Sequence, residues 1–179
     1  MPHDSSGDFY ASRKTIALSL NDFREATTGD VSNIAANGGI LASDTTPVLS
    51  GTAATVSQQI SWATGNVDQI LAQISLPLDF SGADDVLLEL WVNSGTTNAA
   101  TMVVLTNWDG AAADITDSAD DAATKSATTH KITATIAATD VPDNASFVSV
   151  ALTPPTHATD AIQLIAARIA YVPKNFSPQ

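Results

Sequence analysis

The chain has 179 residues, a net charge of −12 and a pI near 4.2, with seven Lys and Arg against 19 Asp and Glu. So few and scattered cations argue against binding a phosphate backbone, which calls for clustered Lys and Arg, and 44% apolar residues argue against wholesale disorder. The absence of cysteine excludes disulfides, thiolate chemistry and Cys-ligated zinc.

Residues 1–12 are polar, with no positive region followed by an apolar run, and read as an extended arm. No segment has the length of a membrane-crossing helix. From residue 13 onward the apolar pattern has period two, the signature of strands. In 13–20, Ile16, Leu18 and Leu20 alternate with polar or small residues. Residues 22–53 are rich in Gly, Ala, Ser, Thr, Asn and Asp and read as a long loop or an arm laid over a neighbouring surface. In 54–63, Val56, Ile60 and Trp62 share one face. In 69–78 the set is Ile70, Ala72, Ile74, Leu76 and Leu78, and in 86–93 Val86, Leu88, Leu90 and Val92 oppose Leu87, Glu89 and Trp91.

Residues 100–108 are apolar on both faces, as in a central or covered strand. The Ala- and Asp-rich stretch 111–127 is the one place where a short helix is considered. Strands follow at 131–136, with Ile132, Ala134 and Ile136 inward, and at 145–153, with Val148, Val150 and Leu152 inward. A last strand sets Ile165, Ala167, Ile169 and Tyr171 against Leu164 and Arg168. Turn pairs such as Gly65-Asn66, Ser81-Gly82, Ser94-Gly95, Asp109-Gly110 and Pro154-Pro155 fall between these runs. The expected fold is all-β: a two-sheet antiparallel β-sandwich of jelly-roll type with about eight strands and an extended N-terminal arm. Residues 1–53 are expected to be arm and long loop with one early strand, and 54–179 the sandwich.

No catalytic motif stands out. G-x-S-x-G, P-loop, H-E-x-x-H and G-x-G-x-x-G are all absent from the sequence. His3, His130 and His157 have no ligand spacing to one another and read as surface residues. Asp114, Asp117, Asp120 and Asp121 form the densest acidic cluster. It lacks the acidic spacing and glycine of an EF-hand, so it reads as a solvated loop in preference to a calcium site. Neither a cofactor nor an enzymatic centre is expected. Among the tryptophans, Trp62 lies on an apolar face and reads as core, whereas Trp91 and Trp108 are the candidates for contact with a carbohydrate or a partner.

The run Ile74-Ser75-Leu76-Pro77-Leu78-Asp79-Phe80, the strand Leu87-Leu88-Glu89-Leu90-Trp91, a polar Ala/Thr/Asp insertion and a closing strand from Ile162 to Tyr171 resemble the jelly-roll capsid decoration (cement) proteins of tailed bacteriophages. The resemblance covers 69–171. It implies a structural virion protein on the capsid surface, made in a host cytoplasm, with the major capsid protein and copies of itself as partners, as a homotrimer. It brings neither nucleic acid nor membrane as a partner, and no catalytic residues. The alternative expectation is a fibre- or tail-associated jelly-roll head that binds host-surface carbohydrate.

Overall fold

The computed structural model describes residues 13–26, 47–51, 58–95, 101–119 and 128–174. Among them are eleven strands, numbered in chain order, in two antiparallel sheets. The first sheet contains β1 (Lys14–Leu18), β3 (Val48–Gly51), β4 (Gln58–Trp62), β6 (Val86–Asn93), β9 (His130–Ile136) and β11 (Ile162–Tyr171). Its order is β3-β4-β11-β6-β9, with β1 also paired to β11. The second contains β2 (Arg24–Glu25), β5 (Ile70–Ser75), β7 (Met102–Trp108), β8 (Ile115–Ala119) and β10 (Phe147–Thr153), in the order β2-β5-β10-β7-β8.

From β4 to β11 the path is that of a jelly roll. The strands alternate between sheets except for β7 and β8, giving β4-β11-β6-β9 facing β5-β10-β7-β8. The period-two pattern accounts for the interior, since each strand turns every second side chain toward the opposite sheet. Ile60, Trp62, Val86, Leu88, Leu90, Val92, Ile132, Ala134 and Ile136 face inward from the first sheet, and Ile70, Ala72, Met102, Val104, Val148, Val150 and Leu152 from the second. At one end Phe80 packs between Trp108 and Tyr171, with ring centroids 5.6 and 5.2 Å away. Each buried polar ring atom there has a partner, as burial demands. Trp108 Nε1 donates to Thr106 Oγ1 at 3.2 Å, and Tyr171 OH donates to Asp79 Oδ1 at 2.9 Å. Burial and the Asp79 carboxylate push the Tyr171 phenol up to about 12.

Several expectations change. The stretch considered for a helix contains β8, which pairs with β7 from Ile115↔Thr106 to Ala119↔Met102. The neighbouring strand supplies the backbone partners that local composition does not advertise. At its start Asp109 (φ 53) and Gly110 (φ 72) both take the left-handed conformation that a tight turn of this hand requires, and Ala111 N donates to Trp108 O at 3.0 Å. β5 ends at Ser75, because Pro77 has no N–H for the ladder, and Leu78 is 94% exposed where the alternation placed it inward.

In β11 a bulge lies between Leu164 and Ala166. Leu164 and Ala167 therefore both face the core, and Ile165 leaves the inward set. His157 is not a surface residue: it is 1% exposed, with Nδ1 2.9 Å from Pro155 O and Nε2 2.9 Å from Ala63 O. Of the first 53 residues, β1, β2 and β3 are strands of the two sheets. The expected arm at 1–12, and most of the 22–53 stretch, lie outside the described residues.

Candidate functional site: an aromatic and cationic face on the first sheet

Seven aromatic side chains fall within the described residues, and five of them (Phe23, Trp62, Phe80, Trp108 and Tyr171) are buried. The two expected contact residues are thus separated. Trp108 is 2% exposed and belongs to the core, because it sits at the inward phase of β7 together with Met102 and Val104. It is unavailable to a ligand in this structure. Trp91 is half-buried on the outer face of the first sheet, at the opposite phase of β6 from Leu90 and Val92.

The register builds the surroundings of Trp91. In β6 it stands between Ala166 of β11 and Lys131 of β9, and one step along the sheet Glu89 stands between Arg168 and Thr133. β1 then places Ala17 beside Arg168. The guanidinium carbon of Arg168 lies 4.9 Å from the Trp91 ring centroid, within cation–π range. Arg168 Nε donates to Glu89 Oε2 and Lys131 Nζ to Glu89 Oε1, each at 2.5 Å. Glu89 is only 6% exposed although it is on the outer face, where Lys131 and Arg168 pair with it and stand between it and solvent. The hydrogen bond from Lys131, aided by that from Arg168, holds the Glu89 carboxyl below the usual Glu value against the upward push of burial.

The surface dips beside the indole. Ala17 and Ala166 carry only methyl groups, and together with Trp91, Thr129, Ile165 and Arg168 they line a depression of about 390 Å³. An aromatic ring flanked by fixed hydrogen-bonding groups and a shallow apolar floor is an arrangement for holding a ligand with both apolar and polar faces. The outer face of the second sheet carries a shallow groove of about 260 Å³, with Leu71, Leu105 and Ala151 below Gln69, Asn107, Asp114 and Ser149. That groove has no aromatic side chain in its lining.

The other residues considered from sequence do not converge. His130 opens β9, with Nδ1 3.2 Å from Thr128 O, and its Nε2 is buried without a partner among the described residues. Asp114 Oδ1 accepts from Asn107 Nδ2 at 2.7 Å, while Asp117 lies at the inward phase of β8, where burial raises its carboxyl above the usual range. Among the described residues no three His, Asp or Glu side chains group as metal ligands; Asp120 and Asp121 lie outside them. Lys131 and Arg168 were missed as site residues. Alternation alone places each on a polar face, but only knowing that β11 and β9 flank β6 brings them to Trp91.

No protein-family profile matches the chain, and comparison with curated proteins finds no relative. Among solved structures, a xylan-binding module, CBM15, superposes with a TM-score of 0.56 at 14% identity, covering 91% of this chain and 99% of the module. The *Clostridium thermocellum* endo-1,4-beta-D-xylanase 10B, seen as its CBM22-1 and GH10 modules complexed with xylohexaose, aligns with a TM-score of 0.50 at 10% identity over 94% of this chain and 30% of that one. A mutant Xylanase10C from *Cellvibrio japonicus*, in complex with xylopentaose, aligns with a TM-score of 0.50 at 14% identity over 87% of this chain and 28% of that one. At such identities the likeness is one of fold: the chain shares the β-sandwich path of these proteins.

Proposed function

We propose that the protein is a carbohydrate-binding β-sandwich that holds a glycan against the Trp91 face by stacking and hydrogen bonds, without chemical turnover. The observation that carries the reading is the half-buried indole of Trp91 on the outer face, beside a depression of about 390 Å³ and with Arg168 4.9 Å from its ring. A pyranose presents axial C–H groups on one side and hydroxyls around its rim, so it needs an aromatic plane and nearby donors together. Trp91 supplies the plane, and Arg168, Lys131 and Thr129 supply polar groups around it. The solved structures that share this fold include a module named for binding xylan and xylanases complexed with xylohexaose or xylopentaose. Their ligands support the choice of ligand class here.

The phage-decoration reading draws on strands that any jelly roll possesses, so the fold does not favour it over glycan binding. It makes a distinct claim, a homotrimer seated on a capsid, which light scattering on a sizing column addresses directly.

The test of the glycan reading is calorimetry or affinity electrophoresis with xylohexaose and a panel of plant and bacterial polysaccharides. Binding by the native protein, weakened at least tenfold in Trp91→Ala while circular dichroism shows the β-sandwich still folded at the assay temperature, is the expected result. Tenfold corresponds to about 1.4 kcal/mol, modest for the loss of an aromatic anchor. Failure to bind any glycan, or full affinity in Trp91→Ala, would overturn the assignment.

A further inference from the structure

The chain carries 19 acidic residues against seven basic ones, yet the Trp91 face reverses that balance. Among the described strand residues of this face, Glu89 is the only acid, set against the cations Arg168 and Lys131. It faces two cations, and its two oxygens are divided between them. One positive charge is left over.

The donors are also unspent. A guanidinium has five N–H groups and an ammonium three. Arg168 commits Nε to Glu89 and Lys131 commits one donor. The terminal amino groups of Arg168 make no hydrogen bond among the described residues, so the outer edge of the fork stays open. Arg168 and Lys131 are 41% and 46% exposed at their side chains, while Glu89 beneath them is 8% exposed. Glu89 thus acts as a buried anchor that fixes two solvent-facing cations next to the ring.

We propose that this site selects carbohydrates bearing a carboxylate, namely uronic-acid-containing oligosaccharides, over neutral ones. The inference rests on the glycan-binding reading above and adds the ligand's charge to it. The sugar ring lies along Trp91 and the apolar dip at Ala166, and its carboxylate meets the open edge of Arg168, with Lys131 on the other flank. Arginine suits that task, because its planar fork matches the two oxygens of a carboxylate. Neutral sugars keep the stacking and lose the charge-assisted bonds.

The experiment is a paired calorimetric titration of the native chain with a glucuronic-acid-substituted xylo-oligosaccharide and with the same oligosaccharide lacking the substituent. The acidic ligand is expected to bind about tenfold more tightly at low salt, since charge-assisted hydrogen bonds are roughly twice as strong as neutral ones. That preference should shrink when ionic strength is raised toward 1 M, where the screening length falls to about 3 Å. In Arg168→Gln, and independently in Lys131→Gln, the ratio of the two affinities should fall toward one. Equal binding of the two ligands by the native protein, or a preference insensitive to salt, would overturn the charge selection and leave the glycan reading standing. Binding of neither ligand nor of any other glycan would overturn both. If Arg168→Gln fails to fold because Glu89 loses a partner, the native salt titration and Lys131→Gln still decide the matter.

Discussion

Replacing Trp108 by alanine removes an indole that is 2% exposed, stacks on Phe80 with centroids 5.6 Å apart, and donates to the hydroxyl of Thr106, itself buried. Truncating a buried tryptophan to alanine costs about 3–5 kcal/mol. Within that sum the aromatic stack accounts for about 0.5–1.5 kcal/mol, and the lost hydrogen bond for about 1 kcal/mol. For a chain of this size each kcal/mol moves Tm by roughly 2–4 °C, so the melting point should fall by about 6–20 °C. Trp91→Ala, by contrast, gives up half-buried surface and a cation–π contact of about 0.5–1 kcal/mol. Its Tm should fall by less than half as much as that of Trp108→Ala. Thermal unfolding followed by circular dichroism, with both variants side by side, reads this contrast. A shift below about 3 °C for Trp108→Ala, or equal shifts for the two, would refute the division into a core tryptophan and a surface one.

Other consequences follow from the same geometry. The Glu89 carboxyl is lowered in the folded chain relative to its ordinary value of 4.5, first by Lys131 and then by Arg168. Its contribution to stability is therefore complete above that value and lost as pH falls through the folded one. Glu89→Gln should cost on the order of 1 kcal/mol at neutral pH, discounted because both cations are more than a third exposed. The difference from the native chain should narrow below about pH 4.5; a gap constant from pH 3 to 7 in urea titrations would count against it. His157→Ala strips the ring that sits between the carbonyls of Pro155 and Ala63 and ties the segment before β11 to the end of β4. A loss of about 2–3 kcal/mol is expected from the acceptor left unsatisfied and the space left empty, and a change under about 0.5 kcal/mol in urea unfolding would contradict that role.

The sandwich was legible wherever one face of a strand is wet. In β6, the inward Val86, Leu88, Leu90 and Val92 alternate with Leu87, Glu89 and Trp91, and the structure keeps that phase throughout. β8 was not legible, because Ile115-Thr116-Asp117-Ser118-Ala119 has one large apolar residue and owes its form to pairing with β7. The β11 bulge was hidden for another reason: Leu164 and Ile165 are both apolar, so local hydrophobicity cannot say where the phase slips. Trp108 misled because a strand-ending residue beside a turn looks exposed, whereas Phe80 from a distant part of the chain stacks on it and is itself backed by Tyr171. The candidate site was half legible. Trp91 and Glu89 share a short segment, but Arg168 and Lys131 join them only through the sheet order β11-β6-β9.

The position of β11 also governs how the chain can be assembled. It is the last strand described, yet it runs through the middle of the first sheet, with β4 and β1 end to end along one edge and β6 along the other. Until residues 162–171 have left the ribosome, β3-β4, β1 and β6-β9 are three separate pieces with unsatisfied edges. Pairings as distant as Lys14↔Tyr171 place much of the ordering cost at the final step. A nascent chain halted before Ile162 therefore exposes Ile60, Trp62, Leu88 and Leu90 without the strand that joins them, the condition in which β-rich chains associate with one another.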